Sequence, residues 1–319
     1  MNVIETHLLT QTPLTVETFM ATCLYHPTHG YYTQGLNFTS TSHPKGLDFT
    51  TAPLLTPIFG ACLATWVERQ WASLGNPTSF HLLEAGPGNG ALMNDILTTL
   101  SPACRAACTP HLVETSPTLT TLQQKTLINR PTTQWHTTLP CLLPPAPCLL
   151  IANELLDAFP IRQFADTTER TLTLTTNNQF AWSHPDSAIT HEDSPSQNAW
   201  LNTLKTLPNL KAALLIDYGY TTPPTPADTL QALHRHTKVS PLTHLSEADL
   251  TAHVNFTHVL QTLGPAACTL TDLSPFLMAH NLLTHAESTI TTPTTSSALH
   301  RLLHPAEMGS LFKVLEFKP

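Results

Sequence analysis

Three glycines give this sequence its most distinctive chemical feature. Gly86, Gly88 and Gly90 follow an apolar run at 80–85 and lead into an apolar-periodic segment at 90–100. Glycines at this spacing let a chain turn tightly from a strand into a helix and let a ligand approach the main chain. The N-terminus of that helix offers N–H groups to an anionic or hydrogen-bond-accepting ligand. The pattern predicts a site for a nucleoside-type cofactor at the carboxyl ends of parallel strands.

Two acids beside this turn bear on the class of cofactor. Glu84 lies two residues before the first glycine, where a carboxylate can face an ammonium group but would repel a pyrophosphate. Glu114 ends the next apolar run, where it can accept hydrogen bonds from ribose hydroxyls. We therefore predict S-adenosylmethionine. Residues 86–91 also fit the dinucleotide fingerprint, against which only Glu84 argues, and a turn that serves only strand-to-helix packing is a further alternative.

A second polar group, Asn153, Glu154 and Asp157, follows an apolar run at 147–153. Glu154 and Asp157 share one face if a helix begins there, because they are three residues apart. Two carboxylates suit a guanidinium, which keeps its proton up to a pKa of about 13.8 and needs a base when it is alkylated. Capping of a helix N-terminus explains the same two acids. Asp217, after a later apolar run, is either a third acid of this cleft or a turn residue.

The elements that would position these residues follow from apolar runs. Continuous runs are typical of strands buried on both faces, and helical patterns between them predict right-handed βαβ units. The predicted strands are 80–85, 110–114, 132–136, 147–153 and 211–217, with a strand at 311–317 at the sheet edge. The predicted helices are 15–24, 56–74, 90–100, 117–128, 247–252 and 272–280. Residues 30–55 read as a polar loop, 166–198 as an insertion with a hairpin near 171–175, and 221–226 and 291–297 as linkers.

Composition excludes several classes of protein. Charged residues make up 11% of the 319 residues, and the net charge of −8 with only 14 Lys and Arg argues against nucleic-acid binding. Seven cysteines without framework spacing predict reduced thiols and a cytoplasmic location. No apolar run approaches the roughly 20 residues of a membrane span. No Lys or Arg precedes Lys45, so we predict a soluble protein without a basic leader.

The 18 histidines raise the question of a metal site. The closest sequence pairs are His26/His29, His234/His236 and His300/His304. Only the last pair has the i, i+4 spacing on a predicted helix, and no further ligand pattern follows it. We predict no metal site, with histidine serving as a polar surface residue where lysine is scarce.

Several segments together resemble one family. The sequence is similar to the MidA family of class I S-adenosylmethionine-dependent methyltransferases, which includes the mitochondrial protein arginine methyltransferase that assists respiratory complex I assembly. The matching segments run in family order along nearly the whole chain: HPTHGYY (26–32), DFTTAP (48–53), FG (59–60), EAGPGNG (84–90), HLVE (111–114), ANELLDAFPIRQF (152–164), DYGY (217–220), ADLTAHVNF (248–256) and MGSLFKVL (308–315).

This resemblance implies an α/β fold, with a Rossmann-like class I methyltransferase sheet, an N-terminal helical cap and inserted α+β segments. The implied divisions are a cap and active-site loop (1–75), a cofactor core (76–165), an insertion (166–205) and the remainder of the core (206–319). Glu84, Gly86, Gly88, Gly90, Glu114, Asn153 and Thr51 would bind S-adenosylmethionine, while Glu154, Asp157 and Asp48 would act on the acceptor. A protein substrate such as a respiratory complex I subunit, and a homodimer, are further implications.

The sequence departs from the family pattern at four positions. Leu47 and Leu54 replace a glycine and an acid of the loop that resembles an active-site lid, and Asp272 and Asn255 replace a glutamine and an aspartate. The loss of the acid at position 54 motivates an alternative function. The chain could be an assembly factor that binds the cofactor with little or no turnover.

Overall fold

The structure is a computed structural model that describes residues 2–34, 51–141, 143–288 and 293–319; Asp48 therefore lies outside the described residues. Numbered in chain order within these ranges, the helices are α1 (Val3–Gln11), α2 (Val16–Tyr25), α3 (Tyr31–Gln34), α4 (Ala52–Leu55), α5 (Pro57–Ser73), α6 (Ala91–Thr99), α7 (Pro102–Ala107), α8 (Pro117–Thr126), α9 (Pro195–Lys205), α10 (Phe256–Leu263), α11 (Leu273–Ala279), α12 (Leu282–Glu287) and α13 (Pro293–Leu303). Short 3-10 turns at Leu156–Ala158 and Pro265–Ala267 and a kinked π-helical turn at Pro305–Gly309 complete the helical elements.

The strands of the same ranges are short apart from one. They are β1 (Leu14–Thr15), β2 (Phe80–Ala85), β3 (Cys108–Val113), β4 (Gln134–His136), β5 (Cys148–Asn153), β6 (Arg162–Ala165), β7 (Thr168–Glu169), β8 (Thr171–Leu174), β9 (Phe180–Trp182), β10 (His191–Asp193), β11 (Leu210–Tyr220), β12 (Gln231–His234), β13 (Thr237–Val239), β14 (Asp249–Thr251), β15 (Val254–Asn255), β16 (Cys268–Asp272) and β17 (Phe312–Phe317).

These elements form two compact units that interleave along the chain. The sheet unit consists of Thr50–Leu156, Leu201–Gly219 and His258–Pro319, and the small-sheet unit of Met1–Phe49, Asp157–Trp200 and Tyr220–Thr257. The four consecutive segments predicted from the sequence divide the chain differently and stay a prediction. No helix of the described residues combines the length and the apolar character that crossing a bilayer requires.

A mostly parallel sheet is the centre of the sheet unit. Its strand order is β16-β17-β11-β5-β2-β3-β4, in which β4, β3, β2, β5 and β11 are parallel and β17 is antiparallel to both its neighbours. Every residue of β2 and β5 is buried, as expected for central strands covered on both faces. The chain moves outward from β2 through β3 to β4 and then returns to β5 and β11. The order of the strands therefore reverses between β2 and β5, where open α/β sheets bind ligands.

Helix α5 shows why the sequence pattern predicted the covering helices correctly. Pro57 occupies its first turn, and the Thr56 side chain accepts a hydrogen bond from the Ile58 N–H. Its buried face carries Phe59, Leu63 and Trp66, which pack into the main core of the sheet unit. An apolar stripe of this kind determines which side of a helix turns toward a sheet.

The small-sheet unit is built from three sheets of three strands within its described residues. Their orders are β1-β8-β9, β10-β6-β7 and β13-β12-β14. Helix α2 begins at the Thr15 cap and buries Phe19 and Met20 in a core that also contains Leu172 and Leu250. The predicted hairpin near 171–175 is confirmed, because β8 pairs antiparallel with β9.

Four predictions about individual segments are wrong. Residues 247–252 do not form a helix, because β14 pairs antiparallel with β12 and all three of its residues are buried. The predicted linker at 291–297 contains the start of α13 at Pro293. Strand β17 is not at the sheet edge, because the unpredicted β16 pairs along its outer side. The predicted loop at 30–55 contains α3 and α4 on either side of residues 35–50, which lie outside the described ranges.

Candidate functional site

The glycine turn begins where β2 ends. Gly86 has a φ of +69°, and a Cβ added to it would lie 2.9 Å from the Leu155 side chain. The Gly86 N–H donates to the Val113 carbonyl oxygen at 3.1 Å. The positive φ favours glycine here, and a Cβ would also require the Leu155 side chain to shift. The hydrogen bond to Val113 joins the turn after β2 to the carboxyl end of β3.

Glu84 is buried beneath this turn, with 3% of its surface exposed. Burial raises its pKa to about 8; nearby Asp95 adds to this effect, and a backbone hydrogen bond from Met93 opposes it. The Asn89 side chain accepts from the Ala91 N–H at 3.0 Å. Two N–H groups in the first turn of α6 are thus already bonded within the chain, contrary to the prediction that they are open to a ligand. These N–H groups are therefore not available to a pyrophosphate, which would also lie beside the Glu84 carboxyl group.

Two buried acceptor atoms at neighbouring strand ends have no hydrogen-bond partner among the described residues. They are Glu84 Oε2 and Asn153 Oδ1. In the parallel pairing of β2 with β5, Ala85 is opposite Ala152, so Asn153 extends one position beyond, beside the first glycine. A buried acceptor without a donor costs about 1–3 kcal/mol. Their position at the sheet's switch point suits a ligand that brings N–H or O–H donors.

Glu114 follows the end of β3 and is held at both oxygens. Its Oε1 accepts from the Ser116 N–H at 2.7 Å, and its Oε2 accepts from Gln123 Nε2 at 3.1 Å. Burial raises the pKa of Glu114, while these hydrogen bonds oppose the rise. Gln123 was not predicted from the sequence, because a glutamine in an amphipathic helix usually faces water. Only its complete burial in the structure marks it.

Glu154 adopts an unusual backbone conformation directly after β5. Its φ is +52°, and its N–H donates to the Ile216 carbonyl at 2.8 Å. The Oε1 atom accepts from the Ala52 N–H at 3.1 Å and from Asn153 Nδ2 at 3.2 Å. A left-handed conformation at a residue other than glycine is sparsely populated, and such residues cluster at functional sites. Thr51, predicted to lie beside the cofactor, immediately precedes the donor residue Ala52 at the N-cap position of α4, where its side chain makes no capping hydrogen bond.

Asp217 is completely buried inside β11 and is not a turn residue. Its Oδ2 accepts from the Leu156 N–H at 2.8 Å, and its Oδ1 accepts from the Tyr218 N–H at 2.9 Å. The first of these bonds ties the segment after β5 to the neighbouring strand. Asp217 thereby supports the position of Glu154 two residues earlier in that segment.

Asp157 belongs to the small-sheet unit and is buried there. Residues 156–158 form a single 3-10 turn, and Glu154 has a left-handed conformation, so the two acids do not begin an α-helix or share a face of one. The Asp157 carbonyl accepts from the Ala252 N–H at 3.0 Å. Its negative charge contributes to the raised pKa of Tyr32, whose main cause is burial.

Two histidines and a glutamate of the small-sheet unit have possible metal-ligand atoms close together. They are His234, His244 and Glu247. The rings of His234 and His244 stack with centroids 4.1 Å apart and planes inclined by 20°. Nitrogen lone pairs lie in the ring plane, so two nearly parallel rings do not direct them at a common ion. The prediction of no metal site stays a prediction.

One family of known proteins matches most of this chain. A family model described as "Putative S-adenosyl-L-methionine-dependent methyltransferase" matches residues 62–274. The chain belongs to this methyltransferase family. The matched range includes the glycine turn, Glu114 and the Asn153–Glu154 pair. The predicted membership of a methyltransferase family is confirmed, and so is the predicted cofactor, S-adenosylmethionine. The alternative of a dinucleotide cofactor is not supported.

Relatives of this methyltransferase have been named in animals. The Caenorhabditis elegans protein "Protein arginine methyltransferase NDUFAF7 homolog, mitochondrial" is 30% identical, over 76% of this chain and 67% of its own length. The Drosophila melanogaster protein of the same name is 26% identical, over 98% of this chain and 83% of its own length. The alignment with the Drosophila melanogaster relative thus extends along nearly the whole chain.

A crystal structure of a Burkholderia thailandensis superfamily protein bound to S-adenosyl-homocysteine has the same fold. Its TM-score is 0.83 at 24% identity, with 99% of this chain and 92% of the other covered. The likeness confirms the predicted α/β fold class with a mostly parallel central sheet.

The predicted cytoplasmic location is wrong, because the relatives are named as mitochondrial proteins. Free cysteines indicated a reducing environment, and all seven are unpaired in the structure. Reduced thiols do not distinguish one reducing compartment from another, so the cysteines by themselves do not support a cytoplasmic location.

Proposed function

We propose that this methyltransferase acts on an arginine side chain of a protein. The main support for its cofactor site is that two buried acceptor atoms at the ends of β2 and β5, Glu84 Oε2 and Asn153 Oδ1, have no hydrogen-bond partner among the described residues. S-adenosylmethionine has an ammonium group with three donors, and a pyrophosphate has none. The names of the animal relatives support arginine as the acceptor.

The cofactor roles follow from the chemistry of each side chain. Glu84 and Asn153 would accept from the ammonium group, Glu84 losing its proton on binding. Glu114 would accept from a ribose hydroxyl, and the glycine turn would allow the nucleoside to approach the main chain. Thr51, beside the backbone N–H that contacts Glu154, would lie on the cofactor side of the α4 segment.

We propose that Glu154 binds the guanidinium of the acceptor arginine. When bound, S-adenosylmethionine supplies an electrophilic methyl group on a positively charged sulfur. The Glu154 carboxylate would orient the guanidinium so that one nitrogen lies in line with the methyl carbon. The carboxylate would take the proton that the nitrogen loses when it gains the methyl group and the sulfur–carbon bond is broken. Asp157 and Asp48 stay as predicted acceptor-side acids.

The contacts of Glu154 are suited to such a base. The Ala52 N–H and the Asn153 amide both donate to its Oε1. Donated hydrogen bonds stabilise a carboxylate and hold it in one orientation. A carboxyl group that is already oriented needs little rearrangement when a guanidinium contacts it.

A single-turnover assay with methyl-labelled S-adenosylmethionine tests the proposal. The acceptors are peptides of matched sequence that contain arginine or lysine, including candidates from respiratory complex I subunits, as the family resemblance suggests. Label on arginine alone is the expected result. Label on lysine alone would contradict the acceptor assignment. Tight cofactor binding without transfer to any acceptor would favour the assembly-factor alternative that Leu54 motivates.

A further inference from the structure

Gln123 occupies a completely buried position on α8, against the glycine turn. Its Nε2 donates to the Gly88 carbonyl at 2.8 Å and to Glu114 Oε2 at 3.1 Å, and its Oε1 accepts from Trp135 Nε1 at 3.2 Å. A Cβ added to Gly90 would lie 3.4 Å from Gln123. One side chain thus contacts the turn, the acid after β3 and the aromatic residue of β4.

Elementary hydrogen-bond chemistry determines the orientation of the Gln123 amide. The indole nitrogen of Trp135 can only donate, so it must meet the amide oxygen. The amide nitrogen then faces the Gly88 carbonyl and the Glu114 carboxylate, which can only accept when ionised. Each of its two hydrogens has one acceptor. The reverse orientation would place the amide nitrogen against the Trp135 donor and the amide oxygen against two acceptors. The amide is therefore fixed by its three neighbours.

We propose that Gln123 is a positioning residue that orients the Glu114 carboxylate toward the ribose of the cofactor. The proposal rests on the proposed role of Glu114. Ser116 holds one oxygen of that carboxylate and Gln123 holds the other, so rotation of the carboxyl group is blocked at both ends. The same amide holds Gly88, so the acid and the turn keep a fixed relation. Buried hydrogen bonds to charged groups are among the stronger ones.

The test compares two ligands and a matched variant. Calorimetry measures the affinity for S-adenosylhomocysteine and for its analogue without ribose hydroxyls, in wild type, Gln123→Met, Glu114→Gln and Gln70→Met. Gln70 is the control, because it is a second buried glutamine of the sheet unit that donates to a glutamate, Glu316, at 3.3 Å. Gln123→Met keeps the length of the side chain and removes its donors and acceptor.

We expect wild type and Gln70→Met to prefer the hydroxylated ligand by about tenfold or more, since a hydrogen bond to a carboxylate has that effect. Gln123→Met and Glu114→Gln should lose most of this preference. Equal weakening of both ligands in Gln123→Met would show a merely structural role and overturn the inference. No preference in wild type would overturn the ribose role of Glu114 and this inference with it.

Trp135→Phe provides a second variant if Gln123→Met does not fold. It removes the donor that fixes the amide oxygen and leaves Gln123 in place. A reduced preference for the hydroxylated ligand, with the analogue bound as in wild type, supports the inference. An unchanged preference in a folded Trp135→Phe variant overturns it.

Discussion

The carboxylate of Glu154 accepts a hydrogen bond from the backbone N–H of Ala52 at 3.1 Å. The two residues are 102 positions apart in the chain, and this bond joins the segment after β5 to the start of α4. The left-handed backbone of Glu154 turns the side chain at the strand end, where the ligand crevice of a parallel sheet lies. Glu154 combines a left-handed backbone with a long-range hydrogen bond, and this combination distinguishes it from the other described acids of the sheet unit.

Glu154→Gln should abolish methyl transfer and retain cofactor binding. The amide is isosteric, but it cannot take the proton of an alkylated guanidinium, and general-base catalysis typically contributes about 10²–10⁴-fold. Single-turnover transfer and calorimetric affinity for S-adenosylhomocysteine measure the two properties separately. Asp217→Asn serves as a comparison, because it alters the support of the same segment. Normal turnover in Glu154→Gln would remove Glu154 from the acceptor site.

Cofactor binding should release a proton from Glu84. With its pKa raised to about 8, the free carboxyl is mostly protonated at pH 7, and an ammonium partner requires the ionised form. Binding therefore releases about 0.9 proton at pH 7, and the affinity rises by close to tenfold for each pH unit up to about pH 7 and then levels off above about pH 8. Calorimetry in buffers of different ionisation enthalpy measures the release. Glu84→Gln should bind more weakly, with a flat pH profile; the same slope in this variant would assign the proton to another group.

Glu114→Ala should weaken the affinity for S-adenosylhomocysteine by about 1.5–3 kcal/mol, the range for a hydrogen bond to a charged group. The change also leaves the Ser116 and Gln123 donors without their carboxylate, so Glu114→Gln is the gentler variant for comparison. Calorimetry gives both affinities. An affinity equal to that of wild type in the alanine variant would exclude Glu114 from the ribose site.

Stability should fall in acid because of a row of three hydrogen-bonded histidines. His111 is completely buried, with one nitrogen 2.9 Å from His81 and the other 2.9 Å from His136. Burial, with smaller effects from its two neighbours, lowers its pKa from 6.5 to about 4. The unfolded state then binds more protons between pH 6.5 and 4, so the stabilising effect of high pH disappears as pH falls through this window.

The expected loss from this one group between pH 7 and pH 5 is roughly 2 kcal/mol. Urea unfolding of wild type and His111→Gln at both pH values measures it, and the exposed His7→Gln is the control. The difference between the two pH values should shrink in His111→Gln and persist in His7→Gln. An equal acid dependence in all three proteins would show that His111 does not titrate on unfolding.

The sheet unit was largely predictable from local patterns. Strand β2 has the predicted bounds, and β3, β4, β5 and β11 differ from prediction by up to three residues at an end. Continuous apolar runs between turn residues are typical of central parallel strands, so these runs alone were enough to predict the strands. Strand β16 was missed because its alternating threonines carry no such run, and its place depends on pairing with β17.

The small-sheet unit was less predictable. Its strands have two to four residues in the described ranges, too few for a period to be recognised. Asp249–Thr251 lay inside the helix predicted at 247–252, and only pairing with β12 made this segment a strand. Short strands form because of contacts between segments that are distant in the chain. The local strand preference of the residues does not reveal such contacts.

The sequence by itself determined that a glycine turn follows a buried strand, that acids follow the neighbouring strands, and that these motifs occur in the order of a methyltransferase family. Only the tertiary structure decided the surroundings of each acid: burial raises the pKa of Glu84, Gln123 donates to Glu114, and Asp217 supports a backbone segment. Turn and strand formation depend on neighbours in the chain, so the pattern of residues encodes them. Protonation and hydrogen bonding depend on which distant side chains come to surround a group, and that is settled when the sheet is packed.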